Sequence, residues 1–448
     1  METQWSEGRH ILVGSLEWTH GVPEALKIVE NYEKEIMLLS KKHNKLQTLI
    51  HYVNKVNLEK EHKLQLSNKA VGVDYITKDE YNKNLDANLD NLLKRMKTFS
   101  YRPQAVKRVY IPKANGKLRP LGIPSYEDKL VQGVLAKVLN GVYEPRFLDC
   151  SYGFRPDRSA HDAIKAIRDI IYKRPIGWVV EADIKGFFDN MSHEWIIKFL
   201  RNDIADENFI RYIIRFLKAG IMDKGIMQES TLGAPQGGSI SPYIANVYLH
   251  YVLDLWFEKV VKKHVKGEAY IIRYADDFLA CFQYEEDAKA FYSVLPKRLA
   301  KFGLEIAEDK TRILPFGKGS GSKESFEFLG FSFHNGMVHK SFYVVVVLSS
   351  KKKMKAKRQA IKEWLYSMMH CPISDIIAKL NIKLLGHYRY YGVSGNFKSI
   401  SAFQNYCIKT LYRVLRRRGQ KKRINWEKFK IFMKQSPIVN PKIYVKLW

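Results

Sequence analysis

Residues 270–280 read Tyr-Ile-Ile-Arg-Tyr-Ala-Asp-Asp-Phe-Leu-Ala. Two short apolar runs, Tyr270–Tyr274 and Phe278–Phe282, enclose an acidic turn, which predicts two strands with Asp276 and Asp277 at their tip. Adjacent carboxylates there repel one another unless a cation offsets them. Clustered hard oxygen ligands suit Mg²⁺, which takes one or two carboxylates together with substrate phosphates. A further acid, Asp183, lies at the end of the apolar run Trp178–Ile184, 93 residues before Asp276. If the two strands pair, Asp183 and Asp276 meet over one site. Two ions about 3.5–4 Å apart would there clamp the attacking and leaving oxygens of an in-line phosphoryl displacement. Taken alone, Asp276-Asp277 reads equally well as an acidic β-turn, where Asp is common.

Working outward, residues 1–66 carry a helical pattern after Pro23, with Leu46, Leu49/Ile50, Val53 and Val56 at three- and four-residue steps. Thr77-Lys-Asp-Glu80 is a capping box that predicts a helix to about Lys97. Val106–Ile111 and Leu118–Ile123 flank Asn115-Gly116, a hairpin signal. Helices are predicted from about Tyr126 to Val142, Ala160 to Tyr172, across 193–219 and from Pro242 to Lys262. Gly233–Gly238 reads as a loop. Strand segments Phe326–Phe333 and Phe342–Leu348 precede a basic, mostly helical tail. Gly317–Lys323 lacks the G-x-x-x-x-G-K-[ST] pattern of a phosphate-binding loop. His193-Glu194 lacks the second His of a zinc protease helix and reads as helix N-terminal decoration.

The chain has 448 residues with 75 Lys and Arg against 46 Asp and Glu, a formal net charge of +29. Such a surplus points to a polyanionic partner, nucleic acid before an acidic membrane surface. The charge is concentrated: residues 340–448 hold 25 Lys and Arg against only Glu363, Asp375 and Glu427. Phosphate contact with release of counterions explains that imbalance better than a merely solvated face. No uncharged apolar run approaches the ~20 residues of a spanning helix, and the start METQWSEGRH has no apolar signal core. Cys150, Cys281, Cys371 and Cys407 are far apart, which argues against a disulfide scaffold or a local zinc knuckle and suits a reducing cytoplasm.

Seven blocks together resemble those of reverse transcriptases, in the family's order. Tyr274-Ala-Asp-Asp277 resembles motif C, Asp183-Ile-Lys-Gly-Phe-Phe188-Asp motif A, and Gly233-Ala-Pro-Gln236-Gly237-Gly238 with Ile-Ser241-Pro242 motif B. The others are Leu118–Pro124, Ser151–Pro156, Gly303–Lys310 and Phe328–Phe331. The resemblance runs from about residue 70 to the C-terminus and is nearest to bacterial group II intron-encoded reverse transcriptase/maturases. It implies an α+β right-hand polymerase: fingers, a palm whose antiparallel sheet carries the acidic hairpin, and a helical basic thumb. The expected divisions are an N-terminal helical extension over 1–67, fingers and palm over 68–340, and the thumb or maturase part over 341–448.

The resemblance further implies that Asp183, Asp276 and Asp277, with the carbonyl of Ile184, hold two Mg²⁺ ions, for which Mn²⁺ can substitute. Phe188 would lie under the sugar and exclude a 2′-hydroxyl, whereas Phe187 reads as core. Arg119 and Lys113 would reach the triphosphate, Gln236 and Gly237 would pack on nucleotide and template, and Lys310 would protonate leaving pyrophosphate. In the tail, Tyr388, Arg389, Tyr390, Arg416, Arg417, Arg418, Lys421, Lys422 and Arg423 would hold RNA by stacking and phosphate pairing.

The implied partners are an RNA template, a DNA primer, deoxynucleoside triphosphates, group II intron RNA and target DNA in retrohoming, with no membrane. The implied location is the bacterial cytoplasm, on the nucleoid when DNA is the substrate. Many relatives carry a C-terminal nuclease with paired cysteines; its absence before Trp448 predicts that this polypeptide does not cleave DNA. Two alternatives stand beside the polymerase–maturase reading: a free-standing reverse transcriptase in DNA repair or phage defence, and a non-catalytic RNA-binding splicing cofactor. Intact Asp183, Asp276, Asp277 and Gln236 weigh against the latter.

Overall fold

A computed structural model describes residues 31–112, 118–234, 237–339, 341–418 and 424–448. The chain divides into two compact units. One takes the residues up to Ala163 together with Val180–Ile313; the other takes Ile164–Val179 and Leu314–Trp448. The described N-terminal helices fall within the first unit.

In the first unit, helices Asn31–Lys42 and Lys55–Leu64 flank a segment that departs from the helical expectation. Leu46 bridges to Ile204 and Ile50–Tyr52 is a single 3-10 turn, so Leu46, Leu49, Ile50 and Val53 reach the core or its edge without an α-helix. Residues 1–30 lie outside the described part. Ile36 and Leu58 are fully buried. Ser40 Oγ donates to the Val142 carbonyl at 2.6 Å, and the amides of Leu49 and Ile50 donate to the Asp206 carboxylate at 2.7 and 2.8 Å. Asp206 also caps the helix Glu207–Leu217, so one buried acid joins the N-terminal segment to the body of the unit. Thr77 accepts from the Glu80 amide as expected, but the helix it opens stops at Asn82, and a second runs over Leu85–Lys97. Tyr126–Tyr143 is the central helix. It is buried around most of its circumference, as a helix surrounded by core must be, with Asp128, Gln132 and Asn140 among the buried side chains.

Strands β1 (Val106–Pro112) and β2 (Leu118–Ile123) form the expected hairpin, in register from Lys107↔Ile123 to Pro112↔Leu118. The Asn115-Gly116 turn lies outside the described residues. The sheet continues through β4 (Ile221–Asp223), parallel to β1, to β5 (Ile226–Gln228). These three-residue strands are too short for an alternation signal to stand out in the sequence.

A second four-stranded sheet has the order β6-β7-β3-β8, with β3 Trp178–Ala182, β6 Ala269–Tyr274, β7 Asp277–Phe282 and β8 Arg312–Pro315. The predicted acidic hairpin is β6–β7, antiparallel from Ala269↔Phe282 to Tyr274↔Asp277. β3 neighbours β7, and Asp183, which follows β3, is close enough to the turn for its charge to act on Asp276.

The second unit contains an antiparallel sheet of order β11-β10-β9: β9 Ser325–Phe328, β10 Phe331–Val338 and β11 Phe342–Ser349. The run expected as one strand over 326–333 is folded back at Leu329-Gly330, both with positive φ. Four helices follow, Lys351–Ser367, Ile373–Tyr391, Phe397–Arg417 and Trp426–Gln435. The fully buried Asn396 amide ties β11 to them. It accepts from Ser349 N at 3.1 Å and donates to Ser349 Oγ and the Tyr391 carbonyl at 2.7 and 2.8 Å. Among the described residues no helix is long and apolar enough to cross a membrane, and all four cysteines are free thiols.

Candidate active site

The β6–β7 turn is only Ala275 and Asp276, with Asp277 opening β7. Ala275 sits at φ +56°, a left-handed conformation that costs a residue with a Cβ about 1–2 kcal/mol. Such a conformation persists only where the surroundings over-determine it. Here they do. Segment Cys150–Gly153 runs alongside β6: Arg273 N donates to Cys150 O at 2.7 Å and Tyr152 N to Arg273 O at 2.8 Å. A Cβ on Gly153 would come within 2.4 Å of the Ala275 nitrogen, so only glycine lets this segment lie under the turn.

The Arg273 side chain is completely buried. Its Nε and Nη2 donate to both oxygens of the equally buried Asp254 at 2.7 and 2.6 Å. Nη1 reaches Asn246 Oδ1 at 2.9 Å and the Ala275 carbonyl at 3.0 Å, and Nη2 reaches Ser151 Oγ at 2.8 Å. Asn246 in turn donates to Gly153 O at 2.7 Å. The helix bearing Asn246 and Asp254 begins at Ser241 and widens to π geometry over His250–Asp254 and Phe257–Val261. Eight residues apart, these two side chains would diverge by about 80° on an α-helix. The wider turn between them removes that offset and brings both to Arg273. Sequence reading quoted this arginine but assigned it nothing, although a charge inside an apolar strand was the available signal.

Asp183 follows β3, its carbonyl accepting from Ala307 N at 2.8 Å, while Lys185 N donates to Glu305 O at 2.9 Å. The Glu305–Lys310 block therefore lies beside motif A, and Lys310 Nζ forms an ion pair with Asp183 Oδ2. That hydrogen bond raises the Lys310 pKa above its ordinary value, with the Asp183, Asp309 and Asp277 charges adding to it. Burial raises the Asp276 pKa first; the Asp183 charge adds to the shift, and the Arg119 and Arg273 charges oppose it. Asp183, Asp276, Asp277, Lys310 and Arg119 thus act on one region. Among the described residues, however, no three His, Cys, Asp or Glu side chains converge as a ready-made metal cluster.

The family model for reverse transcriptase (RNA-dependent DNA polymerase) matches residues 111–333, which include the acidic hairpin, Asp183 and Lys310. The chain belongs to the reverse transcriptase family. It is 29% identical over 440 residues to the group II intron-encoded protein LtrA of Lactococcus lactis, covering 77% of this chain and 71% of that protein. Protein YkfC of Escherichia coli is 37% identical over 196 residues, 42% of this chain and 51% of its own. The mitochondrial nuclear intron maturase 2 of Arabidopsis thaliana is 34% identical over 90 residues, 20% of this chain and 12% of its own. The enzyme class is RNA-directed DNA polymerase.

Within this reverse transcriptase, Phe187 is core as expected, 2% exposed and edge-on to Tyr248. Phe188 is half-buried, and its carbonyl accepts from Ala234 N at 2.9 Å, which joins motif A to motif B. Gly237 has φ +114°, and a Cβ there would come within 2.3 Å of the Gly122 carbonyl. Any other residue would force β2 away. Arg119 is exposed on β2 opposite Ile111. Ile184 is buried and bridges to Ile306. Lys113 and Gln236 lie outside the described residues.

The basic tail requires a correction. Tyr388 cannot stack on RNA: it is fully buried, and its hydroxyl donates to Val439 O at 3.2 Å. Tyr390 is half-buried, with its hydroxyl on Leu329 O at 2.7 Å and its ring near Phe331. Arg389, Arg416 and Arg417 are exposed, whereas Arg418 donates to the Cys371 carbonyl. Lys421, Lys422 and Arg423 lie outside the described residues. Sequence reading missed a groove of about 900 Å³ whose lining includes Lys351, Lys355, Arg358, Lys398 and Tyr406 and no acid.

Proposed function

We propose that this reverse transcriptase extends a DNA primer on an RNA template and acts as maturase for a group II intron RNA. The observation that carries the polymerase chemistry is geometric: the β6–β7 turn bearing Asp276 and Asp277 and the strand that Asp183 follows belong to one sheet, β6-β7-β3-β8, with Lys310 paired to Asp183. In this reading the β1–β2 hairpin belongs to the fingers, that sheet to the palm, and the helices after Lys351 to the thumb.

The donor set suits a hard divalent cation. Burial and the neighbouring Asp183 charge make an ionised Asp276 unfavourable by itself, and a divalent ion is the natural counter-charge. Two Mg²⁺ ions, or Mn²⁺, held by Asp183, Asp276, Asp277 and the Ile184 carbonyl, would activate the primer hydroxyl and neutralise charge on the transferred phosphate.

Protein groups do the rest. Arg119 and Lys113 orient the triphosphate, guanidinium being suited to paired phosphate oxygens. Gln236 and Gly237 pack on nucleotide and template. Lys310, held protonated by Asp183, is positioned to give its proton to the leaving pyrophosphate. Replacing it by Met is expected to slow incorporation by about 10²-fold in single-turnover assays, within the range for a lost general acid, with little change in nucleotide affinity.

Phe188 presents its ring to the sugar. Phe188→Ala is expected to raise ribonucleotide incorporation relative to deoxynucleotide by about 10²-fold, on the order of 3 kcal/mol of lost discrimination. Competing single-nucleotide extensions measure it; unchanged sugar selectivity would remove the gate from this residue.

The maturase role rests on relatives named as an intron-encoded protein and an intron maturase, together with the basic second unit. Target DNA in retrohoming, and a bacterial cytoplasm with nucleoid association, belong to the same proposal. Purifying the protein from its native host and sequencing the co-purifying RNA tests it. Enrichment of one excised structured intron is expected; a diffuse transcript population, or one unrelated small RNA, would favour a free-standing enzyme.

A further inference from the structure

We infer that Arg273 is a positioning residue of the polymerase centre: through Asp254, Asn246, Ser151 and the Ala275 carbonyl it sets where the turn presents Asp276. This rests on the proposed catalytic role of Asp276 and extends it to a residue that touches neither substrate nor metal.

Three observations combine. First, the guanidinium is wholly buried and makes five hydrogen bonds, to partners lying between two and 122 positions away in sequence. Second, one of these bonds goes to the carbonyl of Ala275 itself, the residue held left-handed beside Asp276. Third, the backbone of the same arginine is fixed on both sides by Cys150 and Tyr152, and Gly153 closes against the Ala275 nitrogen. A buried Arg–Asp pair needs no such elaboration for stability, since apolar residues of similar volume often replace one without loss. What apolar residues cannot reproduce is a donor aimed at the turn carbonyl. Lysine keeps the charge but lacks the planar fork that reaches four groups at once.

The test separates position from folding. Arg273→Lys is expected to lower kcat by about 10²-fold, the effect of displacing a catalytic group by about 1 Å. KM for deoxynucleotide, and primer–template affinity measured in EDTA, should stay within about threefold of the starting protein. Arg273→Met alone leaves Asp254 buried without its partner and is expected to lower the melting temperature. The double variant Arg273→Met/Asp254→Leu removes both charges, so it should recover the melting temperature and primer–template affinity without recovering kcat. Recovery of kcat together with the melting temperature would show that the pair serves folding only and would overturn the proposal. So would an Arg273→Lys protein with unchanged kcat. If Asp276→Ala proved fully active, the catalytic reading itself would fall, an outcome distinct from either of these.

Discussion

Asp276→Ala is expected to reduce single-nucleotide incorporation by at least about a thousandfold while leaving primer–template affinity within a factor of about two. Loss of a ligand that stabilises transition-state charge costs several kcal/mol, and about 1.4 kcal/mol corresponds to each tenfold in rate. In metal-free protein, measured in EDTA, the same substitution should raise the melting temperature. Because the folded-state pKa of Asp276 lies above its ordinary value, the ionised carboxylate destabilises the fold at neutral pH. That penalty is full above the folded pKa and disappears below the unfolded one. The gain in melting temperature should therefore be present at pH 7 and shrink towards zero as the pH falls through the carboxylate range. A variant that is both inactive and less stable would point to a structural acid instead, and one retaining several per cent of activity would refute the catalytic assignment.

RNA affinity is expected to fall steeply with salt, by about 10³-fold between 50 and 200 mM, as for a protein making six or more phosphate contacts. The source is the 25 Lys and Arg set against three acids over residues 340–448. The groove lined by Lys351, Lys355, Arg358 and Lys398 is the expected centre of these contacts. Neutralising these four to Gln should reduce the slope of log K against log salt by about 0.7 per contact on single-stranded RNA. A slope near zero for the unaltered protein would refute the electrostatic footprint. An unchanged slope in the fourfold variant would move the contacts to the exposed Arg389, Arg416 and Arg417.

Much of the fold could be read from local signals because its decisive pieces are local. The β6–β7 hairpin is an apolar–acidic–apolar pattern within a dozen residues, and Thr77 caps its helix with the residue three positions on. Tyr388 was misread because its basic neighbours outweighed periodicity. Leu380, Leu384, Tyr388 and Tyr391 recur at helical steps and all are buried, so the pattern placed the ring inside. The π geometry of His250–Asp254 and Phe257–Val261 depends on packing, and although Arg273 stood out as a charge inside an apolar strand, nothing in composition or spacing named Asp254 as its partner. The block Ser151–Pro156 was legible as a motif, but its work under the acidic turn was not, because glycine's role there is defined by the Ala275 nitrogen 2.4 Å from its missing Cβ.

The Arg273 cluster also bears on how the chain acquires activity. The acidic hairpin is closed by neighbouring residues and can form early, within microseconds for an isolated hairpin. Its buttress joins Ser151 to Arg273 across 122 positions, a loop whose closure entropy must be met before its contacts give any return. The carboxylates are therefore expected to reach their working geometry late in folding, after helix Tyr126–Tyr143 and the Asn246–Asp254 segment have docked. During synthesis, the enzyme stays silent until these pieces are in place.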